Sequence, residues 1–253
     1  MINIKIPTPK GNIAAVVHYS KNKTDKLAIL CSGYLDSKDY DHLKILSEDL
    51  AKEGYTAVRF DPIGTWESDG DISDYTTTQY LVDIKNVLEY MLKQNPFKHI
   101  LIGGHSRGGK VSILYATRDR RVSGVLGIMP SSLYMNKNDE RVIEAKKIGF
   151  SISFRDLPED KKQKREFRVP YSHFQDNLKY NSPKDVKKIK VPLILIAGEL
   201  DKLVAPESVK EIFEKANEPK KFILIPGIGH DYRKNPSEVR LVNSKILEAL
   251  ELI

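Results

Sequence analysis

Short apolar, β-branched runs alternate along the chain with longer stretches whose apolar residues recur every three or four positions. That rhythm predicts an α/β protein with a mostly parallel sheet flanked by helices. Ile2–Ile6 and Ile13–Tyr19 read as an opening antiparallel hairpin. Further strands are expected at Leu27–Cys31, Ala57–Phe60, Ile100–Ile102 and Gly124–Ile128. Between them, helices are expected from about Asp39 to Lys52, where Leu43, Leu46 and Leu50 share one face, from about Thr77 to Lys93, and from about Gly108 to Thr117. Each crossover is long enough for a right-handed βαβ unit. The rhythm returns late, with strands at Val191–Ala197 and Phe222–Ile225 and helices from about Pro206 to Ala216 and from about Ser237 to Leu250.

Residues 131–183 interrupt this pattern. They are polar and charged, show no evident buried strand, and carry seven aromatics: Tyr134, Phe150, Phe154, Phe167, Tyr171, Phe174 and Tyr180. A structureless loop of that length is improbable in a compact domain, so short helices packed over the sheet are expected. The chain then divides into a core, residues 1–130 and 184–253, and a cap (lid) insertion, residues 131–183. Exposed aromatics in such number are costly, so they are expected to face the core or a binding cleft.

Composition narrows the class. The chain has 253 residues and a single cysteine, Cys31. No internal disulfide and no thiolate metal cluster can form. Met1–Lys10 lacks an apolar signal-type core, and the longest apolar stretch, Val191–Ala197, is too short to cross a bilayer. A cytoplasmic location is the expectation. Of the net charge of +7, +6 falls in residues 133–190, with acids mixed among the bases. Mixed charge of that kind describes a solvated face, and without an accompanying motif no nucleic-acid partner is expected.

The chemistry-bearing signal is Gly104-His105-Ser106-Arg107-Gly108, directly after an apolar strand and directly before a helix. This G-x-S-x-G spacing suits a tight strand-to-helix turn that projects a serine hydroxyl outward. A serine is a weak nucleophile at neutral pH and needs a histidine base oriented by a carboxylate. Acid and histidine should follow the serine in that order, each after a late strand. Asp201 follows Val191–Ala197, with Glu199 two residues earlier as the alternate acid, and His230 follows Phe222–Ile225. His18, His42, His99 and His173 have no such context, and His105 is expected to pack beside its strand. Asp61 precedes the elbow, so it is read as fixing the following turn. For an oxyanion, the backbone N–H of Arg107 is one expected donor, and that of Tyr34, after Ser32-Gly33, is the other.

On the elbow Gly104–Gly108, the stretch Gly198-Glu-Leu-Asp201-Lys-Leu-Val204 and the pair Gly229-His230, the sequence resembles the serine α/β-hydrolase superfamily over nearly its whole length. It is most similar there to small capped carboxylesterases of the cinnamoyl/feruloyl esterase and monoacylglycerol lipase types. The resemblance implies a cofactor-independent, metal-independent hydrolase that cleaves a small or medium acyl ester through an acyl-enzyme. A thioesterase or peptidase using the same triad, or a ligand-binding fold without turnover, is the alternative. Two positions depart from the family pattern: Ser32-Gly33 stands where His-Gly is usual, and Trp66 stands where a glycine is usual.

Overall fold

The computed structural model describes residues 1–131, 138–180 and 185–253. Tyr134 and the expected cap boundary at 183/184 lie outside them. Eight strands form one sheet in the order β1-β2-β4-β3-β5-β6-β9-β10. They are β1 (Ile2–Thr8), β2 (Gly11–His18), β3 (Lys26–Cys31), β4 (Thr56–Phe60), β5 (His99–His105), β6 (Gly124–Ile128), β9 (Leu193–Gly198) and β10 (Lys220–Ile225). The opening hairpin pairs antiparallel, β2 runs antiparallel to β4, and the remaining ladders are parallel. The central strands are apolar on both faces because both faces are covered. Ile29 and Leu27 point into one layer, with Val111 of α3 (Arg107–Ala116), Val87 of α2 (Thr77–Gln94) and Val209 of α6 (Pro206–Lys215). Ala28 and Leu30 point into the other, with Leu46 of α1 (Asp41–Lys52) and Val242 of α7 (Pro236–Ala249).

The strand order explains where a site can form. β3 sends its crossover α1 leftward to β4, whereas β4 sends α2 over β3 to β5. The connections therefore part between β3 and β5, opening a crevice at the carboxyl ends of those two strands. Cys31 and Gly104, side by side in the β3–β5 register, mark its floor.

Within 138–180 the chain forms more than the short helices expected. Helix α4 (Glu140–Ile148) leads into an antiparallel pair, β7 (Phe150–Asp156) and β8 (Lys164–Pro170), followed by helix α5 (Tyr171–Asn177). The pair is covered on one face only, so it has no continuous apolar run to betray it. Ser151 and Ser153 of β7 turn inward, Ile152 and Phe154 outward, and β8 supplies the inward apolar pair Phe167 and Val169. Phe167 and Phe174 are buried as expected, but Phe154 is exposed, contrary to expectation.

Candidate active site

The elbow glycines are dictated by a neighbouring strand. A Cβ on Gly104 would come 2.2 Å from the Cys31 carbonyl oxygen, and one on Gly108 would come 2.0 Å from the same atom. With both approaches open, β5 passes into α3 through Ser106, held at φ 54°. Leu35, Trp66 and Met129 are the other non-glycine residues at positive φ among the described residues. All four follow the carboxyl ends of parallel strands, the place where backbone strain accompanies function.

Ser106, Asp201 and His230 come together from the ends of β5, β9 and β10. His230 Nε2 lies 3.0 Å from Ser106 Oγ, and Nδ1 lies 2.7 Å from Asp201 Oδ2. A carboxylate only accepts, so Nδ1 carries the proton and Nε2 presents a lone pair to the serine hydroxyl. The other carboxylate oxygen of Asp201 accepts the backbone N–H groups of Leu203 and Val204, at 2.9 and 2.7 Å. Glu199 is exposed, and its carboxylate accepts from the Gly227 N–H at 2.9 Å. It therefore holds the β10 turn, and the residue beside the imidazole is Asp201.

The loop after β3 is fastened from several directions. Tyr80 Oη donates to the Ser32 carbonyl at 3.0 Å, and the Leu35 N–H donates to Tyr75 Oη at 3.0 Å. Trp66 Nε1 donates to the Leu35 carbonyl at 2.9 Å, and Arg155 Nε, from β7, donates to the Tyr34 carbonyl at 3.0 Å. The bulky Trp66 thus braces this loop, with its ring edge-on to Tyr40 and Phe167. Arg107 occupies the first helical position of α3, where a backbone N–H has no partner within its helix. Asp61, just beyond β4, accepts from the Glu67 N–H of the following turn at 3.4 Å and from the Lys38 N–H of the loop after β3 at 2.7 Å, and burial pushes its carboxyl up to about 6 despite Lys38.

His105 packs beside its strand, its ring 4.6 Å from that of His230 and edge-on to His42. Burial, then the neighbouring His105, pushes His42 down to about 3, so it is neutral. Burial also opposes charge on Asp36, but His105, Arg233 and Arg155 outweigh it and hold that carboxyl below the usual range. Arg233 in turn makes a two-pronged ion pair with Asp156 of β7, at 3.0 and 2.8 Å. Asp36, Arg155, Arg233 and Lys110 were missed by sequence reasoning, and His42 and His173 were set aside by it, because distant segments bring these residues together. Only Arg107 and Lys110, three apart just after the elbow, left a local signal.

Residues 22–181 match the family described as serine aminopeptidase, S33. Est1E from Butyrivibrio proteoclasticus, solved with ferulic acid bound, is 22% identical with a TM-score of 0.75, covering 98% of this chain and 99% of that one. The monoacylglycerol lipase of Paleococcus ferrophilus is 21% identical with a TM-score of 0.74, covering 93% and 97%. An Escherichia coli protein described as an uncharacterized 31.7 kDa protein in the traX-finO intergenic region is 21% identical over 249 residues, covering 84% of this chain and 82% of that one. Likeness to solved structures at such identities reports a shared fold. No helix among the described residues is long and apolar enough to cross a membrane.

Proposed function

The chain belongs to the serine aminopeptidase S33 family and has the α/β-hydrolase fold, and from that premise we propose that it is a serine hydrolase cleaving carboxylic esters through an acyl-enzyme. The observation that carries this reading is the continuous hydrogen-bonded relay from Ser106 Oγ through His230 to Asp201. Ser106 attacks the ester carbonyl carbon as its proton passes to His230 Nε2. Asp201 keeps the imidazole in the required tautomer and stabilises the imidazolium. The N–H groups of Arg107 and Tyr34 donate to the oxyanion. Collapse of the tetrahedral intermediate expels the alcohol, which takes the proton from His230. Water, deprotonated by the same histidine, then releases the acid and regenerates Ser106.

Residues 131–183 act as a cap in this reading. Support comes from β7, which reaches Tyr34 through Arg155 and the β10–α7 connection through Asp156, so that cap and oxyanion loop are one mechanical unit. An aminopeptidase must receive an α-ammonium group, and like charge on Arg107 and Lys110 just after the elbow disfavours that substrate. The test is turnover of p-nitrophenyl acyl esters of graded chain length. The wild type should hydrolyse them, with Ser106→Ala and His230→Ala each losing about 10³-fold or more in kcat. Retention of a tenth of the activity by Ser106→Ala would remove the nucleophile from this account.

A further inference from the structure

Directly after the nucleophile in the chain, α3 carries two buried cations. Arg107 and Lys110 retain only 6% and 3% of their accessible surface, and the groups that hold them are neutral. Arg107 Nη1 lies 3.0 Å from His173 Nε2, Nη2 lies 3.3 Å from Thr77 Oγ1, and the guanidinium lies 4.7 Å from the centre of the Tyr75 ring. His173 Nδ1 faces the Tyr75 carbonyl, which only accepts, so this ring is neutral and turns a lone pair toward Arg107. Lys110 Nζ donates to Asn177 Oδ1 at 2.8 Å. Arg107 Nε is buried with no partner among the described residues.

No carboxylate among the described residues pairs with either cation. The two acids nearest in sequence to this cluster are both taken, Asp74 by Lys10 and Asp176 by the Thr78 N–H and hydroxyl and by Lys179. Residues 132–137 and 181–184 contain no Asp or Glu at all. A buried charge without a counter-ion costs several kcal/mol, and a cation needed only for packing is replaceable by an apolar side chain of similar volume. The two cations also oppose each other: burial, then Arg107, pushes the Lys110 ammonium down to about 7.

We propose that Arg107 and Lys110 form the recognition site for an anionic group, a carboxylate or phosphate, borne by the substrate that is hydrolysed at Ser106. The fork of Arg107, with its free Nε, suits two parallel hydrogen bonds to such an anion, and Lys110 adds a point charge. The guanidinium lies against Tyr75 and His173, the rings that pack on Tyr34 of the proposed oxyanion loop, which keeps it near the reaction. The substrate half of this inference rests on the esterase reading, whereas the anion site does not.

The test uses Ser106→Ala, which binds without turnover, labelled with ¹³Cε-lysine. The Lys110 resonance is identified by its loss in a second variant that also carries Lys110→Met. Titration with inorganic phosphate, and separately with glutarate, should raise the Lys110 pKa by about one unit or more, and anion affinity read by isothermal titration calorimetry should fall at least about tenfold when Lys110→Met or Arg107→Gln is added. An unmoved Lys110 at up to about 50 mM of both anions would overturn the site. Lys110→Met should also raise the melting temperature, since it removes an uncompensated buried charge. A fall would mark Lys110 as a structural cation and overturn the site as well. With active enzyme, the preference for a glutarate half-ester over its neutral methyl diester should drop about tenfold or more in Lys110→Met. Anion binding without hydrolysis of any ester would leave the site standing and sink the esterase reading; ester hydrolysis with an unmoved Lys110 would do the reverse.

Discussion

Gly108→Ala should damage catalysis by a route that can be followed atom by atom. The added methyl would sit 2.0 Å from the Cys31 carbonyl oxygen, 2.6 Å from its carbon and 2.8 Å from the Ser32 oxygen. Even a tight contact of 3.0 Å requires the end of β3 to recede by about 1 Å. Tyr34 follows Ser32 by two residues, so its N–H moves with that strand end relative to Ser106. Overpacking of this kind costs roughly 1–3 kcal/mol of stability, and a 1 Å displacement of a positioning group costs about 10²-fold in rate. Urea denaturation and kcat/KM on one ester, measured at a denaturant-free temperature well below melting, separate the two effects. Gly103→Ala is the control: its methyl would meet Leu126 Cβ at 2.8 Å and the Leu126 oxygen at 3.0 Å, away from the β3 loop. It should lose stability while keeping kcat in the folded fraction. If Gly108→Ala kept kcat/KM within a few-fold of wild type, the coupling of elbow to oxyanion loop would be refuted.

Asp201→Asn should lower kcat by about 10⁴ through loss of the imidazole tautomer, while Glu199→Gln, removing only the acceptor for the Gly227 N–H, should stay within a few-fold; the opposite pattern in steady-state kinetics would reassign the acid. His42 is held neutral, its pKa about 3 against an ordinary 6.5, so the stability it contributes is complete above pH 6.5 and declines as pH falls toward 3. By linkage the loss reaches about 3 kcal/mol at pH 4, and His42→Phe should flatten that acid limb in denaturation series, whereas parallel curves would discount His42. Trp66 holds φ 44°, which costs an L-residue roughly 1–2 kcal/mol, yet Trp66→Gly should be net destabilising because it removes the bond to the Leu35 carbonyl and the Tyr40 and Phe167 contacts. A gain in unfolding free energy would show that strain outweighs the brace.

The sheet, its covering helices and the candidates Ser106, Asp201 and His230, which the structure brings within hydrogen-bonding distance, could be read from the sequence because each rests on local pattern. A strand buried on both faces must be apolar throughout, and a tight turn between strand and helix must carry glycines. Chain order then singled out the histidine and narrowed the acid to Asp201 or Glu199, a choice that only the His230–Asp201 bond makes. The β7–β8 pair was not read, although Phe150-Ser-Ile-Ser-Phe154 does alternate with period two. Its phase is inverted, with serines inward because Ser151 Oγ donates to Glu144 of α4 and apolar residues outward. The buried polar residues around the site escaped for a different reason. Arg233 and Asp156, or Arg107 and His173, meet across 77 and 66 positions of sequence, and only the fold makes them neighbours.

The proposal stands or falls on a covalent bond at Ser106. Brief reaction with a fluorophosphonate, followed by intact-mass and peptide-mapping mass spectrometry, tests it directly. One adduct per chain is expected, on the peptide containing Ser106, absent from Ser106→Ala and formed orders of magnitude more slowly by His230→Ala. No adduct, or an adduct on another residue that persists in Ser106→Ala, would contradict the assignment.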